Sequence, residues 1–299
     1  IVNFDSAELI RHNVAQLAEQ VPELVTIVVD NYSTAEARSA IRHLADTHGW
    51  TLVESDLNLG FGSGMNLGID RAIELGSDAF VMLNPDATLS RMSLETVMSR
   101  LEEEPLSLLS PRIVRPDGST WFDGGALDVY RGRTMSRPVN EGCSNEWPWL
   151  TGACLATTAE AWSVLGGFDD DYFLYWEDVD LSVRASRAGV TLEVLDDVFA
   201  VHDEGGTQDR GETDSAGARD FSADYYYYNI RNRLIFAAKV LDPSLRRRWY
   251  LATPRETYRI LLRGVGKRAF LRPWRPLSYA IRGIWDGLRL GRTTRTSKP

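Results

Sequence analysis

The chain has 299 residues, 43% hydrophobic and 25% charged, which is enough to bury one large core or two modest ones and too apolar for a disordered chain. Its formal net charge of -9 conceals a division, because residues 244–299 carry 15 basic and 2 acidic side chains, or +13, and residues 1–243 carry -22. No run of about 18 apolar residues suggests a membrane span and no signal peptide is evident. Cys143 and Cys154 stand in unrelated contexts without a CxxC pair, which argues against a disulfide framework or a zinc site and points to a reducing, cytoplasmic setting.

In chain order, apolar spacing predicts a helix over 9–20, a short β-branched strand over 24–30 and a helix over 35–48. A strand at 51–55, a helix at 65–75 and a buried strand at 79–83 follow, the last ending in Asn84-Pro85-Asp86. This alternation implies an α/β fold with a Rossmann-like, mostly parallel open sheet, in which ligands gather beyond the carboxyl ends of the strands. Asp30 and Asp86 both fall at such ends. From 111 to 148 the periodicity weakens into Gly-, Pro- and Asp-rich hairpins and loops. Beyond it come a strand at 149–157, a helix at 159–165, the turn Gly166-Gly167 and a helix at 178–188 with an acidic first turn. Residues 205–218 read as a mobile loop, 225–240 as a helix, and 245 onward as a mostly helical, basic appendage.

Three segments carry chemistry. Residues 58–66 place Gly60, Gly62 and Gly64 between a strand and a helix, where backbone amides could approach a diphosphate or where glycines simply permit a tight turn. Asn84 and Asp86 offer an amide oxygen and a carboxylate at a strand end, suited to a hard divalent ion or to an Asx turn. Residues 168–184 concentrate Asp169, Asp170, Asp171, Glu177, Asp178 and Asp180 among aromatics, a setting that raises carboxylate pKa values and suits a general base; helix capping is the competing explanation. His202, at the end of an apolar run, could complete a metal shell with Asp86.

Taken together, Val29-Asp30-Asn31-Tyr32-Ser33, residues 58–66, Asn84-Pro85-Asp86, residues 149–155, Gly166-Gly167-Phe168-Asp169, Trp176-Glu177-Asp178-Val179-Asp180 and residues 202–207 resemble glycosyltransferase family 2. The likeness extends in order and spacing over about residues 1–240 and is to its bacterial rhamnosyltransferase-like and galactofuranosyltransferase-like members. The resemblance implies a GT-A catalytic domain over 1–240, with a nucleotide-sugar-binding half at 1–110 and an acceptor-binding half at 111–240, followed by a basic helical region at 241–299. It implies an inverting, single-displacement transfer of a sugar such as rhamnose or galactofuranose from a dTDP- or UDP-linked donor to a saccharide or polyprenyl-linked acceptor, in cell-surface polysaccharide synthesis. Asp30 would recognise the pyrimidine base, and Asn3, Asn31, Ser33, Asn58, Gly60, Gly64, Asn66 and Asn84 would line the nucleotide-sugar site. Asp86 stands where the family's DxD motif places its metal carboxylate, with Asn84 at the position of the first Asp, and His202 matches a further ligand for Mg²⁺ or Mn²⁺. Asp178 matches the catalytic base, Glu177 and Asp180 its neighbours, while Gly152 and Trp176 would shape the sugar and acceptor pocket.

Two other readings compete. A nucleotidyltransferase on a related scaffold would need an early Gly-rich loop with Arg and Lys for triphosphate, and the first 20 residues offer only Arg11. A noncatalytic adaptor for membrane or nucleic acid would rest on the basic tail alone. In that tail Leu277, Ala280, Ile281, Ile284, Trp285 and Leu288 recur at helical spacing, with Arg275, Arg282 and Arg289 displaced to the other side. Such a helix fits an anionic bilayer at the inner face of the plasma membrane, the catalytic domain or a second copy in a homodimer; nucleic acid is left out of the expected partners. Residues 225–234, with Arg231 and Arg233 among tyrosines, either guide the acceptor or form a buried packing helix.

Overall fold

The computed structural model describes residues 1–138, 145–203, 222–265 and 275–293. Cys143, Trp274, the expected loop at 205–218 and the 204–207 part of the last motif lie outside the described residues. The chain folds as two compact units. The first comprises Ile1–Leu127, Thr134–Phe173 and the stretch from Glu177 to the end of the last strand; the second comprises Asp128–Arg133, Leu174–Trp176 and the described residues from 222 onward.

The elements, in order, are β1 (Val2–Asn3), α1 (Ala7–Gln20), β2 (Ile27–Asp30), α2 (Ala35–His48), β3 (Thr51–Glu54), α3 (Phe61–Glu74), β4 (Ala79–Leu83), β5 (Ala87–Leu89), α4 (Arg91–Glu103), β6 (Ser107–Val114), β7 (Thr120–Phe122), β8 (Gly125–Asp128), β9 (Arg133–Ser136), β10 (Glu146–Trp149), β11 (Cys154–Thr158), α5 (Ala159–Leu165), α6 (Glu177–Ala188), β12 (Thr191–His202), α7 (Ala223–Val240), α8 (Pro243–Val265) and α9 (Arg275–Thr293). In the first unit β1-β2-β3 pair in parallel, and a larger sheet has the order β4-β11-β6-β12-β5 with β7 alongside β6. A third sheet has the order β10-β8-β9.

Local chemistry explains the elements that matched expectation. Thr34 and Thr158 cap α2 and α5 by accepting from Ala37 N and Ala161 N, and both helices end on left-handed glycines, Gly49 and Gly166. Successive residues of β2 point to opposite faces, so Val29 joins a core with Met65, Ile69, Leu155 and Leu181, whereas Val28 joins another with Ile10, Ile41, Leu83 and Ile113. Cys154 is a buried free thiol whose pKa burial pushes up to about 12.

Three features differ from the sequence reading. Parallel pairing joins β1-β2-β3 and β6-β12, while β11 runs antiparallel between β4 and β6, so the larger sheet is mixed. A buried apolar run specifies a strand and not its direction. Helix α3 starts at Phe61 rather than 65, so Gly62 and Gly64 lie inside it. Finally, β12 begins seven residues before the apolar run at 198–201, because Glu193, Asp196 and Asp197 interrupt the hydrophobic pattern.

In the second unit α7, α8 and α9 share a core of Tyr226, Ile230, Leu261 and Ala280. Helix α7 therefore groups with α8 and α9, whereas the sequence division placed a boundary at 240. The contact face of α9 centres on Gly283, Gly287 and Gly291: a Cβ at 283 would lie 2.6 Å from the Tyr227 carbonyl oxygen and one at 287 would lie 2.8 Å from that of Arg231. The expected apolar stripe is thus split. Leu277, Ala280 and Ile284 face the helical core, and Ile281 and Trp285 point to solvent. Arg233 settles its own alternatives, since it is buried, donates to the carbonyls of Gly132 and Trp249, and lies 4.7 Å from the Trp249 ring centroid. It is a packing residue of this unit.

Candidate functional site

The site is built on strand ends of the first unit. Asp30, last in β2, is fully buried; its Oδ1 accepts from Asn3 Nδ2 at 3.0 Å and its Oδ2 from Arg38 Nε at 2.6 Å. A buried carboxylate requires such partners. Arg38 also donates to the Ser55 carbonyl and stacks 4.7 Å from the ring centroid of Tyr32, a half-exposed side chain at φ 30°. Both Asp30 oxygens are therefore engaged within the fold, and Tyr32 is the aromatic face left at this strand end. Tyr32 stands in the sequence motif without a role and Arg38 lies outside it; an Arg eight residues beyond a strand-end Asp, on the next helix, is the signal for Arg38.

Asn31 holds the glycine segment. Its Nδ2 donates to Asn58 Oδ1 at 3.0 Å and to the Gly60 carbonyl at 2.8 Å, its Oδ1 accepts from Leu59 N, and Asn58 Oδ1 also accepts from Gly60 N. Gly60 has φ 88° and a Cβ there would sit 2.2 Å from the Phe173 carbonyl oxygen, which accepts from Phe61 N. Gly64 packs against Val2, 3.1 Å from a Cβ position. These glycines allow close approach within the protein itself. Gly60→Ala is expected to destabilise the fold by about 2 kcal/mol or more, from left-handed strain and displacement of the 173 backbone; a denaturant midpoint measures it. Asn66 exchanges hydrogen bonds with the Phe168 backbone at 2.8 and 2.9 Å, so its amide braces the turn after Gly167 against α3. The Ser33 hydroxyl is buried with no hydrogen-bond partner among the described residues.

The end of β4 carries the next cluster. Asn84 N donates to the Ala153 carbonyl, Asp203 N donates to the Asp86 carbonyl, and His202 pairs in register with Ala87 across β12 and β5. This puts His202 Nε2 3.1 Å from Asp86 Oδ1, both side chains buried. The Trp121 ring, from β7, packs 4.6 Å from the imidazole centroid, a contact no sequence signal announced. His202 Nδ1 and Asn84 Oδ1 are buried without hydrogen-bond partners among the described residues. Among those residues no group of three His, Cys, Asp or Glu side chains gathers for a metal. The donor set, a carboxylate and an imidazole beside an amide oxygen, fits a divalent ion that takes its other ligands from phosphate and water.

Antiparallel pairing of β4 with β11 brings in the third element. The chain before β11 places Gly152 N 3.1 Å from Asp178 Oδ2, and Val179 N donates to Asp178 Oδ1 at 2.8 Å. Asp178 lies in the first turn of α6, where unpaired amides favour an anion. Burial nevertheless pushes its pKa up to about 6. Glu177 is buried with Oε2 lacking a partner among the described residues, and burial, then the charge of Asp178, hold its carboxyl well above the usual range. Asp180 accepts from Arg184 Nε at 2.7 Å, and Arg184 donates to the carbonyls of Leu165 and Gly167, so Asp180 anchors the glycine turn to α6. Trp176, grouped with the second unit, is buried against Phe236 and Trp249.

A short sequence of contacts thus runs from Asp178 through Gly152 and Ala153 to Asn84 and the Asp86–His202 pair. The sheets flanked by helices on which these residues sit have the GT-A glycosyltransferase fold. The family model for glycosyl transferase family 2 matches residues 1–159, and the chain belongs to that family, whose reaction is sugar transfer. It is 26% identical, over 314 aligned positions covering 100% of this chain and 92% of the relative, to the low-salt glycan biosynthesis hexosyltransferase Agl10 of Haloferax volcanii. A 41-residue stretch, 14% of this chain and 13% of the relative, is 51% identical to the N-acetylglucosaminyl-diphospho-decaprenol L-rhamnosyltransferase of Mycobacterium tuberculosis. In structure it is similar to the mannosyltransferase PcManGT from Pyrobaculum calidifontis, solved with GDP-Man and Mn²⁺, at TM-score 0.53 and 18% identity over 99% of this chain and 81% of that one. A cavity of about 600 Å³ lined by Val14, Leu17, Met65, Ile69, Phe80 and Met98 holds none of Asp86, Asp178 or His202.

Proposed function

We propose that the chain is a metal-dependent, inverting hexosyltransferase that moves a sugar from a dTDP- or UDP-linked donor to a hydroxyl of a saccharide or polyprenyl-linked acceptor. The observation that carries this reading is a half-ionisable carboxylate, Asp178, joined by two backbone contacts to the strand end bearing Asn84, Asp86 and His202. Asp178 accepts the proton of the acceptor hydroxyl as its oxygen forms a bond to the anomeric carbon; the bond from that carbon to the donor phosphate oxygen breaks, and the electron pair leaves with the nucleoside diphosphate. Attack opposite the departing group inverts the anomeric configuration. Val179 N and Gly152 N hold the base in place, and burial, then the charge of Asp178, hold the neighbouring Glu177 carboxyl well above the usual range, which disfavours a second negative charge beside the base. Asp86 and His202, with Asn84 alongside, would hold a Mg²⁺ or Mn²⁺ ion, which supplies charge stabilisation to the leaving diphosphate when bound. Two opposed carboxylates, as glycoside hydrolysis requires, are not part of this scheme.

The transferred sugar and a lipid-linked acceptor are supported by the names of the relatives: an L-rhamnosyltransferase acting on a decaprenol-linked sugar and a hexosyltransferase of glycan biosynthesis. With an acceptor of that kind, the enzyme would serve cell-surface polysaccharide synthesis at the inner face of the plasma membrane. Thermal melting against UDP-, dTDP- and GDP-sugars, each with and without Mn²⁺, tests the reading. One pyrimidine nucleotide sugar at about 100 times its Kd should stabilise the fold by about 2.7 kcal/mol, and only with metal. Equal stabilisation by all three donors, or none with Mn²⁺ present, would sink it.

A further inference from the structure

Helices α8 and α9 turn outward faces of the same composition. The inward face of α8 is Trp249, Thr253, Thr257 and Leu261, all buried. Its other face exposes Leu251 (73%) and Tyr258 (49%) between Arg247, Arg255 and Arg259. On α9, with Gly283, Gly287 and Gly291 packed inward, Ile281 (57%) and Trp285 (72%) stand exposed between Arg282, Arg289 and Arg292. Single exposed apolar residues are ordinary. Large ones on two neighbouring helices, each set among arginines, are not what a solvated face selects.

Of the two acids on these helices, Glu256 is buried and Asp286 is paired, offsetting one outward arginine, Arg282. Helix α8 has six arginines and one acid, and that acid, Glu256, is buried in a pair with Arg133. Helix α9 has four arginines and one acid, Asp286, which accepts from the Tyr227 hydroxyl at 2.7 Å and pairs with Arg282. The faces are therefore cationic as well as apolar.

We propose that these outward faces dock on an anionic phospholipid surface, with Trp285, Ile281, Leu251 and Tyr258 entering the interfacial layer and the arginines meeting the headgroup phosphates. A second copy is a poor fit because two such faces would bring arginines together. Nucleic acid would match the arginines and leave Leu251 and Ile281 without a role. A bilayer interface answers both the charge and the apolar side chains. The proposal concerns the second unit alone, so it and the transfer reaction can fail separately.

The test is co-sedimentation of the full chain with vesicles of phosphatidylcholine and of phosphatidylcholine mixed with phosphatidylglycerol. Binding should require the anionic lipid and weaken with salt. The paired substitutions Ile281→Ser with Trp285→Ser, and Leu251→Ser with Tyr258→Ser, should each lower partitioning about tenfold or more. Arg289→Glu with Arg292→Glu should lower it by at least about fivefold per residue. Melting temperatures within a few degrees of the parent show that the variants fold, and donor-induced melting shifts should stay unchanged. Equal binding to neutral vesicles, undiminished binding by the serine variants, tighter retention on random DNA duplexes, or a dimer lost in the Ile281→Ser, Trp285→Ser variant would each overturn the proposal.

Discussion

Asp178→Asn should lower the transfer rate by about three orders of magnitude while leaving donor-induced melting shifts in place, because it removes the proton acceptor and little of the donor's surroundings. The parent's pH profile is the companion measurement. With a carboxyl pushed up to about 6, kcat/KM should be flat above neutrality and fall about tenfold per unit of pH below that value. Glu177→Gln separates the two neighbours. Burial favours the neutral form of Glu177, which Gln resembles, so the rate should drop by no more than about tenfold. Stability should move the other way. Glu177 has its folded pKa raised by burial, so in the parent its contribution to stability is full only below the unfolded pKa of about 4.3 and declines as pH rises from there toward the folded value. Glu177→Gln removes that linkage, so the variant should melt above the parent at neutral pH and the gap should close on acidification to about pH 4. A rate unaffected by Asp178→Asn would remove the base from the mechanism.

The second large effect concerns Asp86 and His202. Either Asp86→Ala or His202→Ala should reduce kcat/KM by about three orders of magnitude, the scale of losing several kcal/mol of charge stabilisation on a departing diphosphate. Chelation of the parent should reproduce the loss, and Mn²⁺ should restore it in the parent and not in the variants. A readout independent of turnover is the spectroscopic signal of Mn²⁺ titrated with and without UDP. The parent should bind the ion more tightly with nucleotide, since phosphate oxygens supply ligands that two protein side chains leave open. Asn84→Ala should show a smaller change, because an amide oxygen is a weaker donor than a carboxylate. Full activity in chelator would refute a metal at this pair.

Much of this site is legible in the amino-acid sequence. Strand-end acids, a glycine segment and an acid pair in aromatic surroundings are dense local patterns, and their order along the chain points to one family. The elements with strong local determinants, α2 and α5 with their threonine caps and glycine stops, match to the residue. What each residue does is less legible. Asn66 and Asp180 brace the glycine turn, and both oxygens of Asp30 are held by Asn3 and Arg38. The assignment of a side chain to a ligand or to its own fold depends on what lies across from it.

Local sequence determined the best-marked elements, α2 and α5 above all, since capping, turn-forming glycines and apolar period act over a few residues and are written next to one another. Tertiary structure alone decided strand direction, the insertion of β11 between β4 and β6 and the meeting of His202 with Asp86. It also decided which face of α9 is buried, because Gly283, Gly287 and Gly291 let backbones approach where larger apolar residues cannot. The His202–Asp86 pairing joins residues more than 100 positions apart, and no short-range period encodes it.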